Sequence, residues 1–296
     1  MSVDIWTNSR LKEYQACPMK EKFRYRDCLV PIGKKEALNI GTAVHRGIEM
    51  WSVDEGIAAL KFDFPTSTEE ADSQEIIRGT VRAMLNGYFN AFEPFDEVLP
   101  EVGFSLPARY PTKRGMRRHN NTQLCGKIDA IATINGEQWI VEYKTASKID
   151  KGYFDRLYVD SQITFYMMAA KRMGYNPVGV IYRVIRKPQI QIRKGETVEA
   201  YIERMVQDYL ARPSFYFFQT KLYRSQSDIG KFEVDVWHET RQANSNAAAG
   251  HFYRHSHACS NYGTCPYLPL CTGEGGAEIM YEYKEPHEEL DFLKGE

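Results

Sequence analysis

The chain has 296 residues, enough for one large α/β domain or two small ones, and its 43% hydrophobic and 13% aromatic content supports a sizeable core. A net charge of −1 excludes a global positive field, so any nucleic-acid binding must come from a local patch. The opening residues MSVDIWTNSRLKEYQ lack the basic start and apolar run of a secretion signal, and no apolar run approaches the ~18 residues of a membrane span. A soluble, cytoplasmic protein without a membrane partner is expected. In that reducing setting the six cysteines are not a disulfide framework, and clustered ones become candidate metal ligands.

Residues 9–27 read as short helices broken at Cys17-Pro18, because proline disrupts a helix interior. Helix patterns follow over 42–60 and 69–92, with Val44, Ile48 and Trp51 on one face of the first. Strand-like runs occupy 101–110, 123–134 and 138–145. A helix fits 160–173, a strand 178–186, a helix 197–210, a strand near 215–223, and a helix ending around Ala249. A cysteine-rich tail closes the sequence. No repeat, low-complexity tract or Gly/Ser linker interrupts this order, which favours one integrated domain over 1–296. Helices before, between and after strands predict an α/β core with helical embellishment.

The segment GKIDAIATINGEQWIVEYKTA, residues 126–146, carries the chemistry. Two β-branched runs flank Asn135-Gly136, a two-residue turn whose positions both require positive φ. That turn pairs Ile134 with Glu137, and by the same register Ile131 with Ile140, Asp129 with Glu142 and Lys127 with Lys144. All six side chains then share one side of the sheet. Two carboxylates placed opposite each other among Ile128, Ala130 and Val141 destabilise a sheet unless something relieves their charge. A divalent cation with hard oxygen ligands, magnesium or manganese, would do so. Lys144 would point into the same site, able to orient a metal-bound water and stabilise charge on a phosphate. On a solvated face the same residues would form only cross-strand ion pairs.

At these residues the sequence resembles the PD-(D/E)XK nuclease superfamily, particularly its RecB-like exonuclease branch. The family pattern, an Asp on one strand and Glu-x-Lys on the next, is met by Asp129 and Glu142-Tyr143-Lys144. The resemblance implies a restriction-endonuclease-like α/β core, a mixed and mainly four-stranded central sheet flanked by helices. It also implies Asp129, Glu142 and Lys144 as catalytic residues and a divalent-metal site of His45, Asp129, Glu142 and Tyr143. His45 lies in GTAVHRGIE (41–49), which looks like the first RecB-type motif. By spacing alone, His45 and Glu49 merely share a helical face. Gln162 and Tyr166, one helical turn apart, match the QxxxY motif that contacts DNA in that branch. Glu101 stands where members often carry a supporting acidic residue.

Two further segments stand out. RYPTKRGMRRH, residues 109–119, concentrates Arg109, Lys113, Arg114, Arg117 and Arg118. It could neutralise phosphates while Tyr110 and His119 stack on bases, or it could be a solvated tip. CSNYGTCPYLPLC sets Cys259, Cys265 and Cys271 at C-x5-C-x5-C spacing, with Cys17 a possible fourth ligand. Four thiolates can hold a [4Fe–4S] cluster or structural zinc, and spacing alone leaves both open. His255 and His257 could replace a cysteine, while Cys28 and Cys125 read as small core residues.

The resemblance favours the cluster. Iron–sulfur nucleases similar to the AddB nuclease domain and the CRISPR-associated RecB-like nuclease carry one cysteine before the nuclease motifs and three after. The chain then divides into a helical part at 42–95, a catalytic core at 101–223 and a cluster-stapled part at 9–28 plus 251–273. The expected function is a Mg2+- or Mn2+-dependent DNA exonuclease acting on single strands or duplex ends in recombination, repair or replication, with RNA as a possible substrate. The competing readings are a catalytically idle DNA-binding module and a zinc-stapled structural subunit.

Overall fold

Asn135 and Gly136 form the turn that their residue types favour. In the computed structural model, which describes residues 3–33, 36–261, 263–287 and 290, they take φ of 53° and 79°. This left-handed pair matches a two-residue loop to the twist of its flanking strands. The ladder runs in the register that the turn sets: Ile134 faces Glu137, Ile131 faces Ile140, and Ala130 faces Val141.

In chain order, β1 (Asp4–Trp6), α1 (Asn8–Ala16), α2 (Pro18–Glu21), a π-helical turn (Lys22–Arg26) and β2 (Leu29–Pro31) come first. Next come α3 (Glu36–Glu49), α4 (Val53–Ala58) and α5 (Thr68–Ala91), followed by β3 (Glu97–Thr112), β4 (Gly115–Ile134) and β5 (Glu137–Ala146). Helices α6 (Lys151–Leu157) and α7 (Ser161–Arg172) lead to β6 (Gly179–Arg186), and α8 (Val198–Ala211) and α9 (Pro213–Tyr216) lead to β7 (Phe217–Leu222). Then follow α10 (Gln226–Ala248), α11 (Leu268–Thr272) and β8 (Tyr281–Tyr283).

Among the described residues, six strands make one mixed sheet in the order β1-β4-β5-β6-β7, with β3 on the other edge of β4. β1 runs parallel to β4 and β6 parallel to β5. The sheet therefore exceeds the mainly four-stranded core that the resemblance implies. The added breadth comes from β1 and from a long β3–β4 arm, in which residues 109–119 are strand around a tight turn.

Alternation along the strands sorts side chains to two faces. Ile131, Ile140, Val180, Tyr182 and Val184 pack with α1, α7 and α10. Ala130, Ala132, Val141, Tyr143 and Ile185 pack with α3, α5 and α8. Among the described residues no helix is long and apolar enough to cross a membrane.

The helix expected over 42–60 is two helices. Trp51 takes a left-handed φ of 49°, and the Ser52 hydroxyl accepts from the Glu55 N–H as the N-cap of α4. A serine satisfies an orphan N–H at a helix start better than it serves a helix interior. Val44 and Ile48 are buried as expected, whereas Trp51 is 37% exposed and lies against Phe89 of α5 instead. Cys125 is buried, but Cys28 is only partly so and takes φ of 58°, as a connector and not a core residue.

Strand β4 positions the site. One of its edges is taken by β3, and the other is shared by β1 at Thr122–Leu124 and β5 at Ala130–Ile134. Between these, on that second edge, residues 125–129 pair with no strand among the described residues, while 125–128 keep β3 on the first. The sheet is forked there, and Asp129 stands at the fork.

Gly136→Ala tests the turn that sets the register. No atom lies within 4 Å of a Cβ placed there, so the change meets only backbone strain. We expect a loss of about 1–2 kcal/mol in urea unfolding with an otherwise native fold.

Candidate active site

Glu142 is the most buried charged group at the fork, with 0% of its side chain exposed. The strand that carries it is covered on both faces, so the carboxylate cannot reach water. Its Oε1 accepts from the Gln162 amide at 2.9 Å and pairs with the Lys144 ammonium. Its Oε2 is buried and has no hydrogen-bond partner. Burial, and then the neighbouring Asp129 carboxylate, push Glu142 up to about 7. Lys144 answers this charge. Although burial opposes its ammonium, Glu142 and Asp129 outweigh that and raise Lys144 above the ordinary lysine value.

Asp129 reaches the same point from β4. Its Oδ2 accepts the Tyr143 backbone N–H at 2.9 Å, and its Oδ1 lies 3.5 Å from His45 Nδ1. Burial works against the charges of this pair, but each stabilises the other. His45 is therefore held above the usual imidazole value and Asp129 below the usual carboxylate value. His45 comes from α3 on one face of the sheet and Gln162 from α7 on the other. They flank the two carboxylates at the fork, His45 beside Asp129 and Gln162 on Glu142.

The structure thus brings together His45, Asp129, Glu142, Lys144, Gln162 and Tyr166. The Gln162 amide also donates to the Tyr166 hydroxyl at 3.0 Å, so the two act as one polar unit beside Glu142. Tyr143 turns its ring away, edge-on to Tyr88 and His45, which leaves its backbone toward Asp129.

Some expected pairings are corrected. The β4–β5 ladder ends at Ala130–Val141, so Asp129 is not directly opposite Glu142 and Lys127 does not face Lys144. Lys127 instead pairs with Glu101 across β3, where Glu101 takes φ of 52°. Glu49 is engaged by Arg46 at 2.9 Å.

The donor set fits a hard divalent cation. It offers two carboxylates, one with an orphaned buried oxygen, and an imidazole on their flank. As the side chains stand, no three His, Cys, Asp or Glu groups among the described residues are gathered tightly enough to hold an ion. Lys144 is the cation that satisfies Glu142 here.

Four of the cysteines border a cavity away from the fork. Cys17, Cys259, Cys265 and Cys271 all line one cavity of about 180 Å³, together with Arg254 and His255. None is in a disulfide. The His255 N–H lies 3.5 Å from Cys17 Sγ, and Cys259 Sγ lies 3.9 Å from the His255 carbonyl oxygen. Four thiols in one cavity fit a cluster or a zinc ion in kind, although they do not converge into a formed ligand set. His255 Nδ1 lies 3.0 Å from the Ala16 carbonyl oxygen, and His257 is exposed.

Along the basic arm, Arg114, Arg117 and Arg118 are exposed. Tyr110 and His119 are not free stacking groups, because both pack against Trp237 of α10, with ring centroids 5.3 and 4.9 Å away. Trp237, Arg172 and Glu233 carry no local motif. Only their meeting in space marks them.

Replacing Lys144 by Met tests the balance at Glu142. Removing one partner of a buried ion pair costs about 3–5 kcal/mol, and about 2 kcal/mol is expected here because Lys144 is one-third exposed. Urea unfolding of metal-free protein should show this loss for Lys144→Met and a clearly smaller one for the double change Lys144→Met with Glu142→Gln.

Comparison with known proteins agrees with this geometry. The sequence profile of the PD-(D/E)XK nuclease superfamily matches residues 5–272. No curated protein matches the chain. A solved structure described as that of SSO0001 aligns with 69% of this chain and 82% of its own at 16% identity, with a TM-score of 0.24 that gives the likeness no weight. The profile spans β1 through α11, including the fork and all four cavity cysteines, and the mixed sheet flanked by helices is the architecture that family builds. The chain belongs to the PD-(D/E)XK nuclease superfamily.

Proposed function

We propose that the protein is a Mg2+- or Mn2+-dependent DNA exonuclease that cleaves phosphodiester bonds in single strands or at duplex ends, serving recombination, repair or replication. The observation that carries this reading is the Glu142 carboxylate, buried beside Asp129 with one oxygen unpartnered. A DNA-binding module without catalysis has no use for so costly a group. Asp129 and Glu142 would hold the metal, with His45 and the Tyr143 backbone completing the site. When bound, the ion supplies Lewis-acid polarisation of the phosphate and a more acidic water.

The chain's own residues do the rest. Lys144 releases part of its hold on Glu142 and offers its ammonium to the phosphate oxygens and the attacking water. Gln162 keeps Glu142 in place, and with Tyr166 it presents donors to the strand lying over the fork. Asp129 stays ionised because His45 and the Tyr143 N–H favour its charged form.

The cysteine cavity is assigned a [4Fe–4S] cluster held by Cys17, Cys259, Cys265 and Cys271. Its role is structural, since phosphodiester hydrolysis transfers no electrons. Support comes from the four thiols sharing one cavity although residue 17 and residues 259–271 lie at opposite ends of the sequence. Closing so long a loop restricts the unfolded chain, by analogy with a long disulfide by about 4 kcal/mol or more.

End-labelled DNA with Mg2+ or Mn2+ tests the reading. Asp129→Asn and Glu142→Gln should each lower cleavage by a thousandfold or more, and should also abolish the rise in Tm that Mg2+ gives the wild type. Lys144→Ala should reduce the rate while keeping that rise. A wild-type protein whose Tm ignores both metals and which leaves DNA intact would overturn the assignment. Anaerobically purified protein should contain iron and sulfide in near-equal amounts, and Cys265→Ser should lose both along with Tm. Zinc without sulfide would replace the cluster by a zinc staple.

A further inference from the structure

Where the β3–β4 arm lies on α10, two guanidinium groups share one carboxylate and a third stands beside them. Arg172, the last residue of α7, has a side chain only 8% exposed and reaches Glu233 at 3.4 Å. Arg109 of β3 reaches the same Glu233 oxygen at 3.7 Å. Arg118, paired with Arg109 across the hairpin, is exposed and adds its charge to the group. The Arg172 Nη2 donates to the Pro107 carbonyl at 2.6 Å, but its Nε is buried and has no acceptor.

One carboxylate cannot neutralise three guanidiniums, and a buried N–H without an acceptor is unfavourable. The strain registers on Arg172 itself, which burial and then Arg109 push down to about 10. What the cluster lacks is an anion, and planar guanidinium forks suit phosphate oxygens. Trp237 lies four residues after Glu233, on the same face of α10. With Tyr110 and His119 it forms a half-buried aromatic group beside the cluster.

Helix α7 links this cluster to the fork. It begins with Gln162 on Glu142 and ends with Arg172 on Glu233. The ten helical steps from Gln162 to Arg172 span about 15 Å, and the seven strand steps from Glu101 to Ala108 span about 23 Å. At about 3.4 Å per nucleotide, the separation is roughly four to seven nucleotides.

We propose that Arg109, Arg118 and Arg172 form a phosphate-binding subsite for the DNA strand, away from the catalytic fork, with the half-buried Trp237, held in place by Tyr110 and His119, as its base-stacking residue. The proposal rests on the nuclease reading above. It makes the enzyme a length sensor: a strand long enough to span both sites is held twice, and a shorter one only once.

Binding of single-stranded DNA of about 20 nucleotides, measured by anisotropy without divalent metal, tests the subsite separately from catalysis, and cleavage of a strand of about 4 nucleotides tests the fork alone. Arg109→Gln with Arg118→Gln should weaken long-strand binding at least tenfold and flatten the slope of log K against log salt by about 1.4, at about 0.7 per lost phosphate contact. Short-strand cleavage should be unchanged. Trp237→Ala should weaken long-strand binding about tenfold with the salt slope intact, and Arg118→Lys should keep the slope. Arg118→Gln alone, an exposed change that leaves the Glu233 pairs in place, guards against misfolding of the double variant and should flatten the slope by about 0.7. Unchanged long-strand affinity and slope in both glutamine variants would overturn the subsite. A wild type that binds the long strand in this way yet cleaves neither strand would overturn the nuclease reading and leave the subsite standing.

Discussion

The carboxylate of Glu142 is the constraint around which the rest of the site is arranged. A charge removed from water must be paired or hydrogen-bonded, or it will give up its ionisation. Glu142 shows all three pressures. It takes a hydrogen bond from Gln162, it takes the ammonium of Lys144, and its proton affinity rises. Each partner comes from a different place: Lys144 from two residues along the same strand, Gln162 from α7 and Asp129 from β4. Their convergence requires β5 to be covered on both faces while its neighbour β4 peels away. Stability alone would replace Glu142 by an apolar residue, as buried ion pairs gain little over hydrophobic packing. Its presence marks a position where stability yields to chemistry.

The fork explains how the second carboxylate tolerates the first. If the β4–β5 ladder continued to Asp129 and Glu142, the two groups would stand directly opposed, an unfavourable cross-strand pair. The ladder stops one residue earlier. Asp129 then turns to the Tyr143 N–H, a donor that another strand residue would use if the ladder ran on. On the other edge of β4, Glu101 sits opposite this point with a left-handed φ, a conformation unusual for glutamate. The local irregularity of β3 and the opening of β4 from β5 thus occur at the same level of the sheet.

Much of this was legible in sequence because hairpins are local. Asn135-Gly136 fixes a register, and a register fixes which residues share a side, so the meeting of Asp129, Glu142 and Lys144 follows from a few adjacent residues. The end of the ladder is not local. It depends on β1 taking the far part of the same β4 edge, from residues more than a hundred positions away. The break at Trp51-Ser52 was hidden for a different reason. The apolar period continues through it, and only the capping preference of Ser52 competes with that period. The packing of Tyr110 and His119 on Trp237, and of Arg109 and Arg172 on Glu233, joins segments with no shared pattern, so composition could show a basic run but not its company.

The two ends of the described chain meet through contacts outside the cysteine cavity. Arg10 is held by Asp4 and Glu21, each at 2.8 Å, and lies over the Trp6 ring, while Asn244 of α10 donates to Asp4 at 2.7 Å. Strand β2 pairs with β8, and the Tyr267 hydroxyl donates to the Leu29 carbonyl at 2.8 Å. This network already docks the N-terminal segment onto α10 and the tail, so the cysteine cavity is formed by contacts that do not themselves need a metal. A cluster bound there would tighten an existing junction, in contrast to small zinc modules that are unfolded without their ion. Because β1 lies in that junction and also bounds the open edge of β4, loosening the ends would be felt at the fork. The connection runs from Cys17 through α1 to β1, and from β1 across one strand to the level of Asp129.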